Sequence, residues 1–356
     1  MEISSRQILG FFFGILSGTS LFLNIITLLT VFRLAFVLRK NHVFIIAFFN
    51  ILSDTLQMFV ATFYLAPSII LNSFLISDTK KNTWTLLLSS MFLFLWYFES
   101  ILQIVMALNR YIVICLNMQK VFTFFSTSLL FVFLIPFCFL LMSCSQYLSP
   151  CCSFMYDQEY LSYSYLSNGT IPNYSNTFVD LPLNTSSSVI SIICYVLIFW
   201  KIHHYSPATV SVGGGRQKVR RNRDIRCAIQ FSLLLAFYTF AWVLFRVLPI
   251  ILATKDVEWF ISVPTLYTLN CTSNAIIYIC FNGEVQENLI PYKLHKILEL
   301  FHLVRSPTPK VNQSLATLPE NARTTTVQNS NTPVRYIPAR SHQPFRTIRL
   351  NNQNSN

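Results

Sequence analysis

Charged residues are scarce in this sequence. Asp, Glu, Lys and Arg make up 11% of the 356 residues, whereas 53% are apolar. Soluble domains carry about a quarter charged residues, and so few charges cannot cover one large soluble globule that also holds 33 Phe, 16 Tyr and 5 Trp. An ordinary soluble enzyme is therefore excluded.

Glycine and metal-binding motifs are scarce as well. Transporters often show internal repeats with Gly-interrupted helices in corresponding halves, but the whole chain has only 8 Gly and no such pairs. The apolar segments hold neither a His-rich run nor a Glu-x-x-His motif, and His203 and His204 lie at the edge of a loop. Both a repeat-built transporter and a membrane metalloenzyme are disfavoured.

Seven segments are long and apolar enough to cross a membrane as helices. About 20 apolar residues span the hydrocarbon at about 1.5 Å per residue, and these segments lack the alternation of barrel strands. The sequence therefore predicts an all-α membrane protein, a bundle of seven transmembrane helices. The predicted spans are 8–32, 43–66, 84–108, 124–145, 187–203, 227–252 and 259–281.

The chain divides into three parts by composition. Residues 1–290 form the predicted seven-helix domain. Residues 291–304 place Leu294, Ile297, Leu298 and Phe301 on one helical stripe, which predicts an amphipathic helix on the membrane surface. Residues 305–356 are rich in Ser, Thr, Asn, Gln and Pro and predict a disordered cytoplasmic tail.

Two signals predict an external N-terminus and a cytoplasmic C-terminus. The predicted loop 146–186 carries glycosylation sequons at Asn168, Asn173 and Asn184 and no Lys or Arg. The first, third and fifth connections carry twelve Lys and Arg, against four on the opposite side, as the positive-inside rule requires.

The net charge of +12 has an explanation in the membrane. Basic segments on the cytoplasmic side face anionic lipids. Membrane lipids are therefore expected partners, and no nucleic-acid partner is needed to account for the charge. The basic run 216–226 is either a topology signal or a docking surface for a cytoplasmic partner.

Five polar residues fall in the middle third of the predicted spans. They are Asn24, Asp54, Glu99, Asn270 and Asn274. Two acids close together in a bundle cannot both ionise cheaply, so Asp54 and Glu99 should share a proton or hold a small cation such as Na⁺. The cluster acts either as a conformational switch or as polar contacts between helices.

A ligand pocket is expected between the outer halves of the spans. Its candidate aromatic residues are Phe94, Trp96, Phe98, Tyr238 and Trp242, although an aromatic stripe can also be simple packing. Arg246, near the outer end of the sixth span, either reaches the membrane interface or faces inward and binds an acidic ligand group.

Two motifs resemble those of rhodopsin-like G-protein-coupled receptors. Asn109-Arg110-Tyr111 resembles the Asp/Glu-Arg-Tyr motif that ends the third helix, and Asn274-Ala275-Ile276-Ile277-Tyr278 resembles the Asn-Pro-x-x-Tyr motif of the seventh. The resemblance implies a signalling switch formed by these ends. The resemblance further implies that Arg110 changes position on activation and that Tyr278 moves inward to hold open a cleft between the cytoplasmic ends of the helices.

Three further stretches are similar to nematode serpentine chemoreceptors of class x. They are 150–157, 220–226 and 281–285. The resemblance implies chemosensory signalling, in which an unknown external ligand binds between the helices and a heterotrimeric G protein is activated. It also implies the plasma membrane, including that of a sensory cilium, and neither a cofactor nor an enzymatic activity. A transporter or channel that uses Asp54 and Glu99 is the alternative.

The sequence also departs from the receptor pattern. Asn109 replaces the acid that would pair with Arg110, and Ala275 replaces the helix-kinking Pro. Since no Cys precedes Cys115, the usual disulfide to the top of the third helix cannot form. Cys144, Cys151 and Cys152 could pair within their own region, although adjacent Cys151 and Cys152 bridge each other only under strain, so the pairing is left unassigned.

Overall fold

The computed structural model describes residues 4–75, 82–118, 120–149, 151–157, 160–165, 172–204, 214–251 and 257–289. The predicted surface helix at 291–304, the predicted tail at 305–356 and the sequon at Asn168 lie outside these residues. They remain predictions.

Helices make up nearly all of the described chain. The seven long helices and the short one that follows them are α1 (Ser5–Val37), α2 (Val43–Leu71), α3 (Thr83–Ile114), α4 (Phe124–Leu148), α5 (Ser175–His204), α6 (Gly214–Ile251), α7 (Ser262–Phe281) and α8 (Gly283–Leu289). The helices α1, α2, α4 and α5 each contain a short π-helical segment. A 3₁₀ turn, Val257–Ile261, leads into α7.

Five of these helices, α1 to α5, are long and apolar enough to cross a membrane. In α6 the apolar part is Ser232–Val247, and α7 has 20 residues. The fifth span was predicted to begin at residue 187, but α5 begins twelve residues earlier, at Ser175. The prediction was wrong because the Ser, Asn and Asp side chains of 175–186 resemble those of a loop, whereas several of them face the interior of the bundle.

Local polar groups fix where the helices begin and end. The Asn82 side chain accepts a hydrogen bond from the backbone N–H of Trp84 at 3.2 Å, so it caps α3. The Ser126 N–H donates to Thr123 Oγ1, and the Thr123 N–H donates to Ser126 Oγ, which is the reciprocal arrangement of a capping box at α4. Asn72 ends α2 in the left-handed conformation, with φ of 48°, which Asn tolerates better than most residues.

Two ends of the bundle are used below as reference points. Arg6 at the start of α1 donates a hydrogen bond to Asn72 at the end of α2, so these termini lie at one end. The start of α2, the end of α3 and the end of α7 meet at the opposite end, where Val43, Arg110 and Tyr278 line one small cavity. We call this second end the Arg110 end.

A β-hairpin covers the first end, which we therefore call the hairpin end. Strands β1 (Phe154–Asp157) and β2 (Ser162–Tyr165) pair antiparallel, with Tyr156 opposite Tyr163. The all-α prediction thus missed one element. The hairpin is fixed to α4 by Gln146, whose side-chain amide donates to the Phe154 carbonyl at 2.8 Å and accepts from the Phe154 N–H at 2.9 Å.

Apolar side chains cover the outside of the bundle while polar ones lie inside. On α4, Phe125, Phe133 and Phe139 are exposed. In contrast, Asn24, Asp54 and other polar residues are fully buried. This is the reverse of a soluble protein and fits a bundle whose surroundings are hydrocarbon.

A stripe of glycines brings α1 and α2 close together. Gly10, Gly14 and Gly18 repeat every four residues, which puts them on one face of α1. A Cβ atom at Gly10 would lie 2.7 Å from Ile70 Cγ1 and 3.0 Å from the Ile70 backbone N, whereas one at Gly18 would meet nothing closer than 3.9 Å. The two helices therefore approach most closely at Gly10.

Gly10→Ala should destabilise the bundle because the added methyl group pushes against the α2 backbone. We expect a loss of about 1–3 kcal/mol in the free energy of unfolding, typical of overpacking, measured as a lower thermal unfolding midpoint in detergent. Gly18→Ala is the matched control and should be neutral or stabilising, since Ala is favoured over Gly by about 1 kcal/mol within a helix. Equal midpoints for the two variants would contradict this packing.

Candidate functional site

Asp54 is buried in the middle of the bundle and is held by amide groups from two helices. Its Oδ2 accepts hydrogen bonds from Asn274 Nδ2 on α7 at 2.8 Å and from Asn50 Nδ2, one turn earlier on α2, at 3.4 Å. All three residues are fully buried. Asn274 of the predicted signalling switch thus touches the predicted mid-membrane cluster directly.

Glu99 on α3 is held in the same way. Gln57 Nε2 on α2 donates to its Oε2 at 3.2 Å, and Asn270 Nδ2 on α7 donates to its Oε1 at 3.0 Å. Asn24 joins α1 to this region through a 3.4 Å hydrogen bond to the Cys271 carbonyl. The structure therefore brings the polar residues of α1, α2, α3 and α7 into one cluster.

Several oxygens in this cluster have no hydrogen-bond partner among the described residues. They are Asn24 Oδ1, Asn50 Oδ1, Asp54 Oδ1, Gln57 Oε1, Asn270 Oδ1 and Asn274 Oδ1. Each is a buried acceptor, and an unpaired buried acceptor is costly. Carboxylate and amide oxygens are the donor atoms that hard cations prefer, and a proton on one carboxyl would also satisfy part of the set.

Asn50 and Gln57 also belong to this cluster, although neither was predicted to do so. They lie four residues before and three residues after Asp54, so the three polar residues share one face of α2. This spacing alone indicates that the two amides lie beside Asp54 in a helix. The cluster thus has more amide groups than the five predicted residues supply.

Three of the five predicted switch residues meet at the Arg110 end, while Asn274 lies with Asp54 in the polar cluster. Arg110, Asn109 and Tyr278 line a cavity of about 10 Å³ together with apolar residues of α2 and α3. Asn109 is buried, and its Nδ2 has no partner among the described residues. Tyr111 is half-buried and packs on the main apolar core.

His42, just before α2, is near enough to Arg110 for the two charges to interact. Burial, and then the positive charge of Arg110, lowers the pKa of His42 below its usual 6.5. The imidazole is therefore neutral at neutral pH and adds no positive charge beside Arg110.

A cavity of about 50 Å³ lies beneath the hairpin. Its walls come from α1, α2, α3, α5, α6, α7 and both hairpin strands. Aromatic rings dominate them: Phe92 stacks on Tyr163 with ring centres 4.4 Å apart, and Tyr267 lies 5.2 Å from Phe92 and 5.5 Å from Trp96. This cavity is a candidate ligand site at the hairpin end.

The predicted pocket aromatics divide between this cavity and the core. Trp96 lines the cavity. Phe94 and Phe98 instead stack on each other, 6.1 Å apart, and Phe98 packs against Phe131 of α4, so both are core residues. Trp242 is half-buried, outside the cavity wall, and its Nε1 has no partner among the described residues. Phe92 and Phe245 line the cavity but were not predicted.

Arg246 forms an ion pair with Asp180 within the protein. The guanidinium of Arg246 on α6 also donates to Asn176, so it joins α6 to the start of α5. Asp180 Oδ1 accepts two further hydrogen bonds, from Trp96 Nε1 at 3.1 Å and Asn184 Nδ2 at 2.9 Å. Neither alternative predicted for Arg246 included this acid, which the analysis had placed in a loop.

Asn184 is a structural residue and not a glycosylation site. It is fully buried on α5, its Nδ2 donates to Asp180, and its Oδ1 accepts from Ser100 at 2.7 Å and from Tyr238 at 2.6 Å. A glycan cannot be accommodated at this buried amide. Asn173, by contrast, is only partly buried just before α5 and remains a predicted acceptor.

The structure contains one disulfide among the described residues. It joins adjacent Cys151 and Cys152, immediately before β1, a pairing that the sequence analysis left open. The hairpin is thus anchored through Gln146 and aromatic stacking, without a disulfide to α3.

Comparison with known proteins agrees with this geometry. The sequence profile described as "Serpentine type 7TM GPCR chemoreceptor Srx" matches residues 12–282. The crystal structure of squid rhodopsin superposes with a TM-score of 0.66 over 87% of this chain and 94% of that chain, at 13% identity, which indicates a shared fold. No curated protein sequence matches the chain.

Asp180→Asn should destabilise the protein because it leaves the Arg246 guanidinium without its countercharge. Breaking a buried pair costs about 3–5 kcal/mol, and the partial exposure of Arg246, at 20%, places the expected loss toward the lower end. The thermal unfolding midpoint measures it. The double variant Asp180→Asn/Arg246→Gln is the control and should recover part of the loss, whereas independent, additive losses would show that the two residues are not coupled.

Proposed function

Because the chain belongs to the serpentine 7TM GPCR chemoreceptor family Srx, we propose that it binds an external chemical ligand in the hairpin-end cavity and activates a heterotrimeric G protein at the Arg110 end. The observation that carries the proposal is the presence of a cavity at each end of the bundle, joined by one buried polar cluster. Family membership favours a receptor over the transporter alternative.

The proposal places the hairpin end outside the cell and the Arg110 end in the cytoplasm. The charge distribution supports this orientation, since helix ends and connections at the Arg110 end carry Arg33, Arg39, Lys40, Lys120 and Lys201. We further propose that this multi-pass protein resides in the plasma membrane, including the membrane of a sensory cilium.

Helix α3 is the element that can carry a signal between the ends. Trp96 lines the ligand cavity, Glu99 belongs to the polar cluster, and Arg110 lines the cavity at the cytoplasmic end. A ligand that changes the position of Trp96 therefore acts on the helix that also holds Arg110. Since Asn109 stands where an acid would pair with Arg110, activation does not require proton uptake at this position.

The polar cluster biases the equilibrium between two packings of α2, α3 and α7. Asp54 and Glu99 are fully buried and face amide groups, so their charge must be balanced by a proton or by a cation such as Na⁺. The unpartnered oxygens around Asp54 would hold the cation. Movement of α7 changes these ligands, because Asn270 and Asn274 are both on α7.

Arg110→Ala should abolish most signalling without preventing folding. We expect at least a tenfold lower maximal second-messenger response in cells screened with a panel of small molecules, because Arg110 is placed to contact the G protein once the cleft opens. Lys120→Ala, which removes an exposed cation at the same end, is the matched control, with surface expression measured for both. An undiminished response in Arg110→Ala would remove this residue from the mechanism.

Na⁺ should stabilise the resting bundle through Asp54. The thermal unfolding midpoint of the purified protein should be higher in NaCl than in choline chloride of equal ionic strength, since a ligand bound only to the folded state stabilises that state. Asp54→Asn should remove the difference. If the midpoints are equal in the two salts but depend on pH, the pair shares a proton; a Na⁺ effect that persists in Asp54→Asn would contradict this site.

A further inference from the structure

The hairpin-end cavity carries no net charge. Among its described lining residues, Asp180 is the one with a formal charge, and both of its oxygens are engaged. Arg246 neutralises Oδ2, while Trp96 and Asn184 donate to Oδ1. A cationic ligand would have to displace Arg246, and an anionic ligand would face a carboxylate.

The cavity nevertheless holds polar groups that no residue satisfies. The hydroxyls of Tyr163 and Tyr165 on β2 and of Tyr267 on α7 line the cavity and have no hydrogen-bond partner among the described residues, apart from the weakly polar Cys271 thiol beside Tyr267. The side chain of Tyr165 is half-buried, whereas those of Tyr163 and Tyr267 are buried. Tyr163 is 5% exposed and Tyr267 is 8% exposed. Since buried hydroxyls are nearly always paired, these two groups indicate a ligand that pairs with them.

Both hydroxyls act as donors toward such a ligand. Burial raises the pKa of Tyr163 well above its usual 10, so this phenol keeps its proton. The lining hydroxyl of Thr268 is already used, because it donates to the Pro264 carbonyl at 2.8 Å. A ligand that satisfies the two O–H groups therefore supplies an acceptor.

The remaining walls favour a flat apolar body. Phe92, Trp96 and Phe245 contribute rings, and aromatic rings pack well on aromatic ligands in offset or edge-to-face geometry. The small volume, about 50 Å³, restricts the ligand to a compact molecule.

We propose that this cavity binds a small, uncharged, ring-containing molecule whose carbonyl or ether oxygen accepts hydrogen bonds from Tyr163 and Tyr267. The proposal rests on the proposed receptor function, whose ligand class it specifies. It excludes amines and carboxylates as the preferred ligands, because a charged group disturbs the Asp180–Arg246 pair. It also excludes pure hydrocarbons, which would leave the Tyr163 and Tyr267 hydroxyls unpaired.

The test uses four probes of similar shape on the purified full-length chain in lipid nanodiscs. Acetophenone and α-methylstyrene differ only in C=O against C=CH₂, while benzylammonium and benzoate carry opposite charges. Dissociation constants come from saturation-transfer NMR titrations, with empty nanodiscs as background. Ala241→Phe, which fills the cavity at a lining position, separates binding in the cavity from partition into lipid and should remove the binding of all probes.

Acetophenone should bind the native chain at least about fivefold more tightly than α-methylstyrene, the value of one net hydrogen bond. Tyr163→Phe and Tyr267→Phe should each weaken acetophenone binding about fivefold and leave α-methylstyrene unchanged. Tyr156→Phe is the matched control, since its hydroxyl is also buried and unpaired but it does not line the cavity. It should change neither probe.

Equal affinity for acetophenone and α-methylstyrene, tighter binding of either charged probe, or no binding in the cavity by any probe would each overturn the proposal. An equal loss of both neutral probes in Tyr163→Phe and in Tyr267→Phe would also overturn it. Because no G protein takes part in this measurement, a failure of signalling with intact probe selectivity would count against the receptor function alone.

Discussion

The absence of water in hydrocarbon is the constraint on which this structure depends. Backbone N–H and C=O groups must pair within each spanning segment, which makes helices of the long apolar stretches. The same constraint turns polar side chains inward, where they must form hydrogen bonds with one another. The outward Phe residues of α4 and the buried Asp54 are two results of one cause. In α5, the constraint draws Asp180 and Asn184 into the bundle, although their sequence neighbourhood reads as a loop.

Buried polar groups then decide which helices are held together. Toward the hairpin end, Asp180 and Asn184 of α5 bind Trp96 and Ser100 of α3 and Arg246 and Tyr238 of α6. Directly before Ser100 on α3, Glu99 binds α2 and α7. Helix α3 therefore takes part in both networks before it reaches Arg110. A displacement of α3 at the cavity cannot leave the Arg110 end unaffected unless the helix bends between them.

Much of the fold could be predicted from the sequence, because the length of apolar runs reports directly on helices in lipid. The first four predicted spans fall within α1 to α4, and the family resemblance is confirmed. The start of α5 could not be obtained in this way, since hydropathy does not distinguish a polar side chain in a loop from one that faces a partner helix. Gln146, rather than a disulfide, anchors the hairpin to α4. Nothing in the sequence around Gln146 indicates this tertiary contact. Asn50 and Gln57 did have such a signal in their spacing from Asp54.

In the proposed function the membrane separates a ligand-binding hairpin end from a cytoplasmic Arg110 end. Epitope tags before Met1 and after Asn356 test it most directly, by antibody staining of intact and permeabilised cells. We expect the N-terminal tag to be stained in intact cells and the C-terminal tag only after permeabilisation. Staining of the C-terminal tag in intact cells would contradict it.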